Sequence, residues 1–317
     1  MIVWIIFIAL ILIFLALDLG VFNRTPHIIS TKEASIWTGV WVTISFLFSG
    51  VIYWLYSSDI ISNVDNLTPT DATLKYITGY LIELSLSVDN IFVIAVIFAS
   101  FRIPLKYQHR VLFWGILGAI VFRALMIFFG VILIKKFSFT TYIFGAFLIF
   151  TAYRMLASRE EKFNPKKSFI YRQVRKFVPI TSHMNGEHFF IKLRHIRAAT
   201  PLFIALIIIE FTDVLFALDS IPAILAITSD PFLVFTSNIF AILGLRSMYF
   251  FLSNMLTKFY YLKFSLISIL TFVGIKLILA HHIKFPEWFS LTFIALSLLV
   301  GIVISLRSAK ESDHNNF

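Results

Sequence analysis

The sequence predicts an all-α, polytopic membrane protein of about nine transmembrane helices with an inverted repeat of three helices. Of its 317 residues 59% are apolar and only 14% are charged, which lies outside the balance of a soluble domain. The 37 Phe residues, beside so much Leu and Ile, exceed what the interior of a soluble fold of this length could hide, whereas lipid has room for them. The repeat is predicted by two acidic motifs of the same spacing, set in two apolar stretches.

Apolar runs of about twenty residues, the length that crosses roughly 30 Å of hydrocarbon, place nine spans at 2–22, 35–56, 73–100, 109–134, 139–157, 201–228, 232–254, 259–280 and 287–306. The first has no basic leader, stays apolar for about twenty positions and carries Asp18 near its end, so it reads as a retained helix and not as a cleaved signal. The organisation that follows is an N-terminal two-helix unit (1–72), a first repeat (73–157), a basic loop (158–200), a second repeat (201–280), and a last helix with its tail (281–317). Thr200 before Pro201 and Asp230 before Pro231 are helix entries in which proline falls where its missing N–H costs nothing.

Charge orients the spans. Arg24, Lys32, Arg102, Lys106, Arg110, Lys258, Lys263, Arg307 and Lys310 fall on one side together with the basic loop. In that loop, residues 157–197 carry ten Lys or Arg against three Glu. The positive-inside rule makes this side the cytoplasm, the N-terminus external and the C-terminus cytoplasmic. The formal charge of +10 is therefore read as loop charge beside a membrane, with no nucleic-acid partner. A protein partner for the basic loop is compatible with the same charge.

The third span reads Glu83-Leu-Ser-Leu-Ser-Val-Asp89-Asn90-Ile91 and the sixth Asp213-Val-Leu-Phe-Ala-Leu-Asp219-Ser220-Ile221. The span after each buries one arginine, Arg123 in Ile120-Val-Phe-Arg123 and Arg246 in Leu243-Gly-Leu-Arg246. Copies offset by three spans thread the membrane in opposite senses, an arrangement from which alternating-access transporters are built.

Six acids fall at membrane depth, Asp18, Glu83, Asp89, Glu210, Asp213 and Asp219, against three bases, Arg123, Arg246 and Lys276. Each intramembrane charge costs about 2.5–3.5 kcal/mol on the lenient insertion scale, so these positions are read as functional. The excess of negative charge invites a cation. Helical spacing puts Glu83, Ser87 and Asn90 on one face and Glu210, Asp213 and Ser220 on another, with Asp89 and Asp219 flanking. Pro222 removes the donor to the Leu218 carbonyl, so a break there would expose one more oxygen beside Asp219.

With no Cys and no imidazole cluster in the spans, the donor set is oxygen, which suits a hard ion such as Mg, Ca or Mn. The candidate ligands are Glu83, Asp89, Asn90, Asp213, Asp219 and Ser220, with Asp18 and Glu210 in a lesser role and Arg123, Arg246 and Lys276 as charge partners. The alternative for each acid is a buried bridge to one of those bases that only sets helix register. His281 and His282 read as an interfacial pair, and Gly145, Gly244 and Gly274 as places of close helix contact.

These stretches, with Asp18-Leu-Gly20-Val-Phe22, Glu210-Phe-Thr-Asp213, Ile221-Pro222-Ala223, Asn238-Ile-Phe-Ala-Ile-Leu-Gly244 and Phe272-Val-Gly274-Ile-Lys276, resemble the signatures of TerC-type integral membrane proteins over nearly the whole chain. The resemblance implies a bacterial inner-membrane protein of manganese homeostasis, distantly similar to LysE-type exporters and named for tellurium resistance. It carries the family's acidic helix positions onto Glu83, Asp89, Asp213 and Asp219. The expected activity is export of Mn(II) as cargo, without a resident cofactor and without enzymatic chemistry. Protons and metal would compete for the same carboxylates. The alternatives are an assembly or insertion partner that transports nothing, with its function in the basic loop, and a tellurium or metal stress factor acting indirectly. Direct tellurite transport fits poorly, because an oxyanion would enter a site of excess negative charge.

Overall fold

The computed structural model describes residues 2–17, 29–61, 63, 65–137, 139–157, 169–181, 184, 186–193, 196–253, 262–280, 283 and 285–314. It is an all-α polytopic membrane protein whose helices are α1 (Ile2–Leu17), α2 (Thr31–Ser57), α3 (Pro69–Ser100), α4 (Leu105–Lys136), α5 (Thr140–Ala157), α6 (Phe169–Phe177), α7 (Pro201–Leu225), α8 (Pro231–Ser253), α9 (Leu262–Leu279) and α10 (Glu287–His314). Among the described residues, α2, α3, α4, α5, α7, α8, α9 and α10 are long and apolar enough to cross a membrane. Helix α1, at 16 residues, is about 24 Å long at 1.5 Å per residue and falls short of a full crossing as described. Residues 18–22 of its predicted span, Asp18 among them, lie outside the described residues, as do His281 and His282.

Helix ends differ from the apolar runs because caps, and not hydropathy, set them. Thr68 accepts the Asp71 N–H and Pro69 opens α3, so the helix begins four residues before the apolar stretch does. Helix α2 likewise begins on Ser30, which accepts from the Glu33 N–H. Asp230 caps α8 by accepting the N–H groups of Phe232 (2.9 Å) and Leu233 (3.2 Å), and it also takes the Tyr56 hydroxyl at 2.8 Å. Burial pushes the Asp230 carboxyl above its ordinary range, against the pull of these three donors. Thr200 is an N-cap in position only. Its hydroxyl donates to the carbonyls of His188 and Phe189, and no side chain caps the first turn of α7.

The basic loop contains two elements that charge conceals in the sequence. These are the nine-residue α6 and an antiparallel hairpin of β1 (Phe190–Leu193) and β2 (Ile196–Ala199). Tyr171 and Val174 of α6 pack on the apolar cluster formed by the ends of α3, α7 and α8.

Helix α8 is the axis of the bundle, with most of its length buried, and both α2 and α3 pack along it. Helix α4 packs on α7 and α5 on α9. Helix α1 is held by aromatic contacts, Phe7 lying 6.0 Å from Phe240 and 5.5 Å from Phe48, and Phe14 lying 5.6 Å from Trp41. The ends of the bundle are chemically distinct. At one end Asp65 accepts from Ser229 (2.9 Å) and lies 3.7 Å from Lys135, while Lys75 donates to the Ile227 carbonyl (2.8 Å). At the other, Arg110 pairs with Glu187 (2.7 Å) and Tyr249 donates to Gln108 (2.9 Å).

Helices α5 and α9 cross glycine on glycine. A Cβ on Gly274 would lie 2.9 Å from the Gly145 carbonyl oxygen, and one on Gly145 would lie 2.8 Å from that of Gly274. A Gly274→Leu protein must therefore part the two backbones, and it is expected to lose about 1–3 kcal/mol in detergent unfolding, the usual cost of overpacking. Gly244→Ala is the control. Its Cβ would meet only Trp41 at an ordinary 3.5 Å, and little change is expected.

Candidate functional site

Glu83 and Asp213 sit half-way along α3 and α7, and the arginine half-way along α4 lies between them. The Arg123 guanidinium, fully buried, donates from Nε to Asp213 Oδ2 (3.3 Å), from Nη2 to Asp213 Oδ1 (2.9 Å) and from Nη1 to Glu83 Oε1. The same Nη1 reaches Asn238 Oδ1 at 3.1 Å and Ser220 Oγ at 3.5 Å. The planar fork of arginine suits this double carboxylate contact, which a lysine could not make in the same geometry. Asn238 is held in turn by the Val234 carbonyl of its own helix (3.0 Å).

Beside this centre lies a cavity of about 130 Å³, walled by Glu83, Asp89, Asn90, Arg123, Asp219 and Ser220 together with Thr151, Arg154 and Met155 of α5. The Thr151 hydroxyl donates to Asp219 Oδ1 at 2.9 Å. Arg154 is the positive charge acting on Asp219, and Lys263, at the start of α9, acts on Asp89. Glu83 and Asn90 of this wall each hold one oxygen, Glu83 Oε2 and Asn90 Oδ1, that is shut off from solvent and accepts no hydrogen bond from the protein. Buried acceptors are almost always satisfied, so these two mark a place that suits a cation or a donor.

Five of the six ligands expected from the sequence, Glu83, Asp89, Asn90, Asp219 and Ser220, line this one cavity, and Asp213 alone is outside its lining. Glu83, Asp213 and Ser220 meet at Arg123, Glu83 and Ser220 lining the cavity as well, and Asn90 borders both that space and a smaller one. Among the described residues no group of three or more acids or histidines is close enough to be a ready-made metal site. Asp213, Asn90, Thr212 and Arg246 line the smaller space, of about 20 Å³. Glu210 is in neither lining. Its carboxylate rests against Gly118 of α4, which leaves no room for a Cβ, and its Oε2 accepts no hydrogen bond.

Lys276 is a correction to the sequence reading, which pairs it with the central acids. It donates to Ser290 (2.9 Å) and lies 3.5 Å from Glu287, which also pairs with Lys75 at 3.1 Å. The reason is register. Helix α9 turns this residue toward α10 at the end of the bundle away from the basic loop. The break expected at Pro222 is also not there, because α7 runs unbroken through Pro222 and ends at Leu225. Three residues of the centre escape the sequence reading, Asn238, Thr151 and Arg154. Only Asn238 gives a signal, as a polar residue in an apolar run eight positions before Arg246.

Fold and centre together define a helical membrane protein that holds an acid–arginine cluster and an acidic cavity inside the bundle. The chain belongs to the integral membrane protein TerC family, which matches residues 68–313. It is 48% identical to "Uncharacterized membrane protein STKORF319" of Myxococcus xanthus over 98% of this chain and 94% of that one. It is 44% identical to an "Uncharacterized membrane protein" of Rickettsia bellii over 96% of each chain. It is also 41% identical to the "Putative membrane-bound redox modulator Alx" of Escherichia coli K12, over 94% of this chain and 90% of that one. No solved structure gives a significant match.

Proposed function

We propose that this protein exports a hard divalent cation, Mn(II) foremost, across the bacterial inner membrane in exchange for protons. The observation that carries the reading is the cavity of about 130 Å³ at bilayer depth, whose wall brings together three carboxylates, Glu83, Asp89 and Asp219, with Asn90, Ser220 and two guanidiniums. Oxygen donors, carboxylates above all, select hard ions over soft ones. The cavity reaches the last turn of α5, next to the basic loop, and the contacts of Asp65, Lys75 and Asp230 tie the opposite end together. This is the arrangement of a carrier open toward the cytoplasm, with the N-terminus outside and the C-terminus inside.

Charge supports the exchange. Glu83, Asp89, Asp213 and Asp219 face Arg123, Arg154 and Lys263, so the ionised centre carries four negative charges against three positive, a net of −1. One divalent ion brings it to +1, and so do two protons on two of the carboxylates. The two loaded forms are electrostatically equivalent, so a carrier that returns protonated moves no net charge per cycle. Arg123 holds Glu83 and Asp213 in place throughout and satisfies them when the cavity holds no ion.

Alternation between two states is supported by the pairing of elements. If the repeat read from the sequence pairs α3, α4 and α5 with α7, α8 and α9, then the contact of α3 with α8 is the counterpart of that of α7 with α4, and the crossing of α5 and α9 at Gly145 and Gly274 is its own counterpart. The name of the Escherichia coli relative suggests redox chemistry, yet a chain with zero Cys has no thiol to carry it.

Purified protein in liposomes that enclose a manganese-quenched dye tests the reading. Mn(II) entry should be driven by an opposing proton gradient and be unchanged by a clamped membrane potential. Quenching no faster than in protein-free liposomes would refute transport.

A further inference from the structure

A second cavity, unrelated to the acids, opens at the basic end of the bundle. It measures about 740 Å³ and is lined by Arg102 of the α3–α4 turn and Arg175 of α6, with the hydroxyls of Ser100 and Thr181 and the rings of Phe101 and Tyr171. The rings lie 5.9 Å apart, so the turn and α6 form one wall.

We infer that this cavity binds the phosphate group of an anionic phospholipid from the cytoplasmic leaflet. Four observations carry the assignment. First, two guanidiniums from elements far apart in sequence meet one space, and among the described residues neither has a carboxylate partner. Glu187, at the same end of the bundle, pairs with Arg110. Arginine forks are matched to phosphate oxygens. Second, Arg102 holds φ +52, a left-handed conformation that costs a residue with a Cβ and is found where the surrounding structure requires it. Third, Pro201 at the start of α7 borders the cavity, and its first turn has no side-chain cap because Thr200 donates elsewhere. The positive end of a 25-residue helix adds to the two arginines. Fourth, α6 is anchored to the apolar cluster by Tyr171 and Val174 and leaves Arg172, Arg175 and Lys176 exposed, so its basic face is held outward beside the cavity.

The apolar half of the lining favours a lipid over a free anion. Phosphate alone would use the arginines and leave the partly exposed rings of Phe101 and Tyr171 facing water, whereas a glycerol backbone and the start of its acyl chains would cover them. Basic pockets at the cytoplasmic ends of membrane helices recognise acidic headgroups by this division of labour.

The test uses the full chain in detergent, with native mass spectrometry as the readout and dihexanoyl phosphatidylglycerol, dihexanoyl phosphatidylcholine and inorganic phosphate as probes. Phosphatidylglycerol should bind at least tenfold more tightly than phosphatidylcholine. Arg102→Gln with Arg175→Gln should lose that margin while keeping the melting temperature of the parent. Arg172→Gln with Lys176→Gln, of equal charge change on the same surface, should keep it. Inorganic phosphate should compete only weakly; if it binds more tightly than phosphatidylglycerol, the ligand is a free anion and the lipid assignment falls. Equal binding of the two lipids by the unmodified protein would overturn the proposal without any variant, as would an equal loss in the two double variants.

Discussion

Replacing Arg123 with Met should destabilise the protein by about 3–5 kcal/mol, the cost of removing one partner from a buried charge pair, and abolish manganese movement. The expectation rests on what is left behind. Arg123 and Glu83 are each about 1% exposed and Asp213 11%. Without the guanidinium, two carboxylates would lose the charge that lies between them at the centre of α3 and α7, and Glu83 would have lost its donor for Oε1 while Oε2 already has none. Thermal unfolding in detergent measures the loss. A triple variant, Arg123→Met with Glu83→Gln and Asp213→Asn, separates the causes. Amides remove the stranded charge, so stability should largely return, but export should not, because the acid that borders the cavity is gone. Should Arg123→Met alone unfold at the temperature of the parent, the cluster is not the buried charge system described above.

This centre is half legible in the sequence. Insertion cost singles out the acids and Arg123 one residue at a time, since a charge in an apolar run is conspicuous wherever its partner lies. Which base serves which acid depends on how helices distant in sequence are rotated against each other, and no local pattern records that rotation. Lys276 shows the consequence. Its sequence context matches that of Arg246, as a lone cation in an apolar helix, yet its partners are Ser290 and Glu287 near the start of α10. Glu210 is one turn from Asp213 and still faces Gly118, outside both cavities, because at 3.6 residues per turn a residue three positions away points about 60° aside. Helix ends mislead for a different reason. Hydropathy measures the apolar stretch, while Thr68 and Ser30 start their helices in polar sequence. In the basic loop, charge masks α6, whose alternation of aromatic and basic residues is too short for periodicity to be decisive at nine residues.

Asp89→Asn combined with Asp219→Asn should stop manganese movement while leaving the fold intact, the opposite separation from Arg123→Met. The two aspartates are the cavity's carboxylates outside the Arg123 cluster, and the bases near them, Lys263 and Arg154, are half-buried and exposed respectively, so each is solvated when its acid is gone. Even a close ion pair in a partly exposed place contributes only about 0–1 kcal/mol, and these charges act from beyond ion-pair distance, so the melting temperature should stay within about 4 °C of the parent. In the Asp219→Asn side chain the amide oxygen would still accept the Thr151 hydroxyl, which preserves the contact of α5 with α7. The cation, in contrast, would lose two anionic oxygens. Perturbing only a support of a metal ligand costs about 10–100-fold, so losing two ligands should reduce Mn(II) flux on the order of 100-fold or more. The liposome assay reads the flux, and the detergent melt shows that the protein is folded. Flux at the parental rate in a folded double variant would take the cavity off the path of the ion. Because amides cannot exchange protons at any ordinary pH, any residual flux in the variant should also have lost its dependence on the proton gradient, which ties the cargo and the driving ion to the same oxygens.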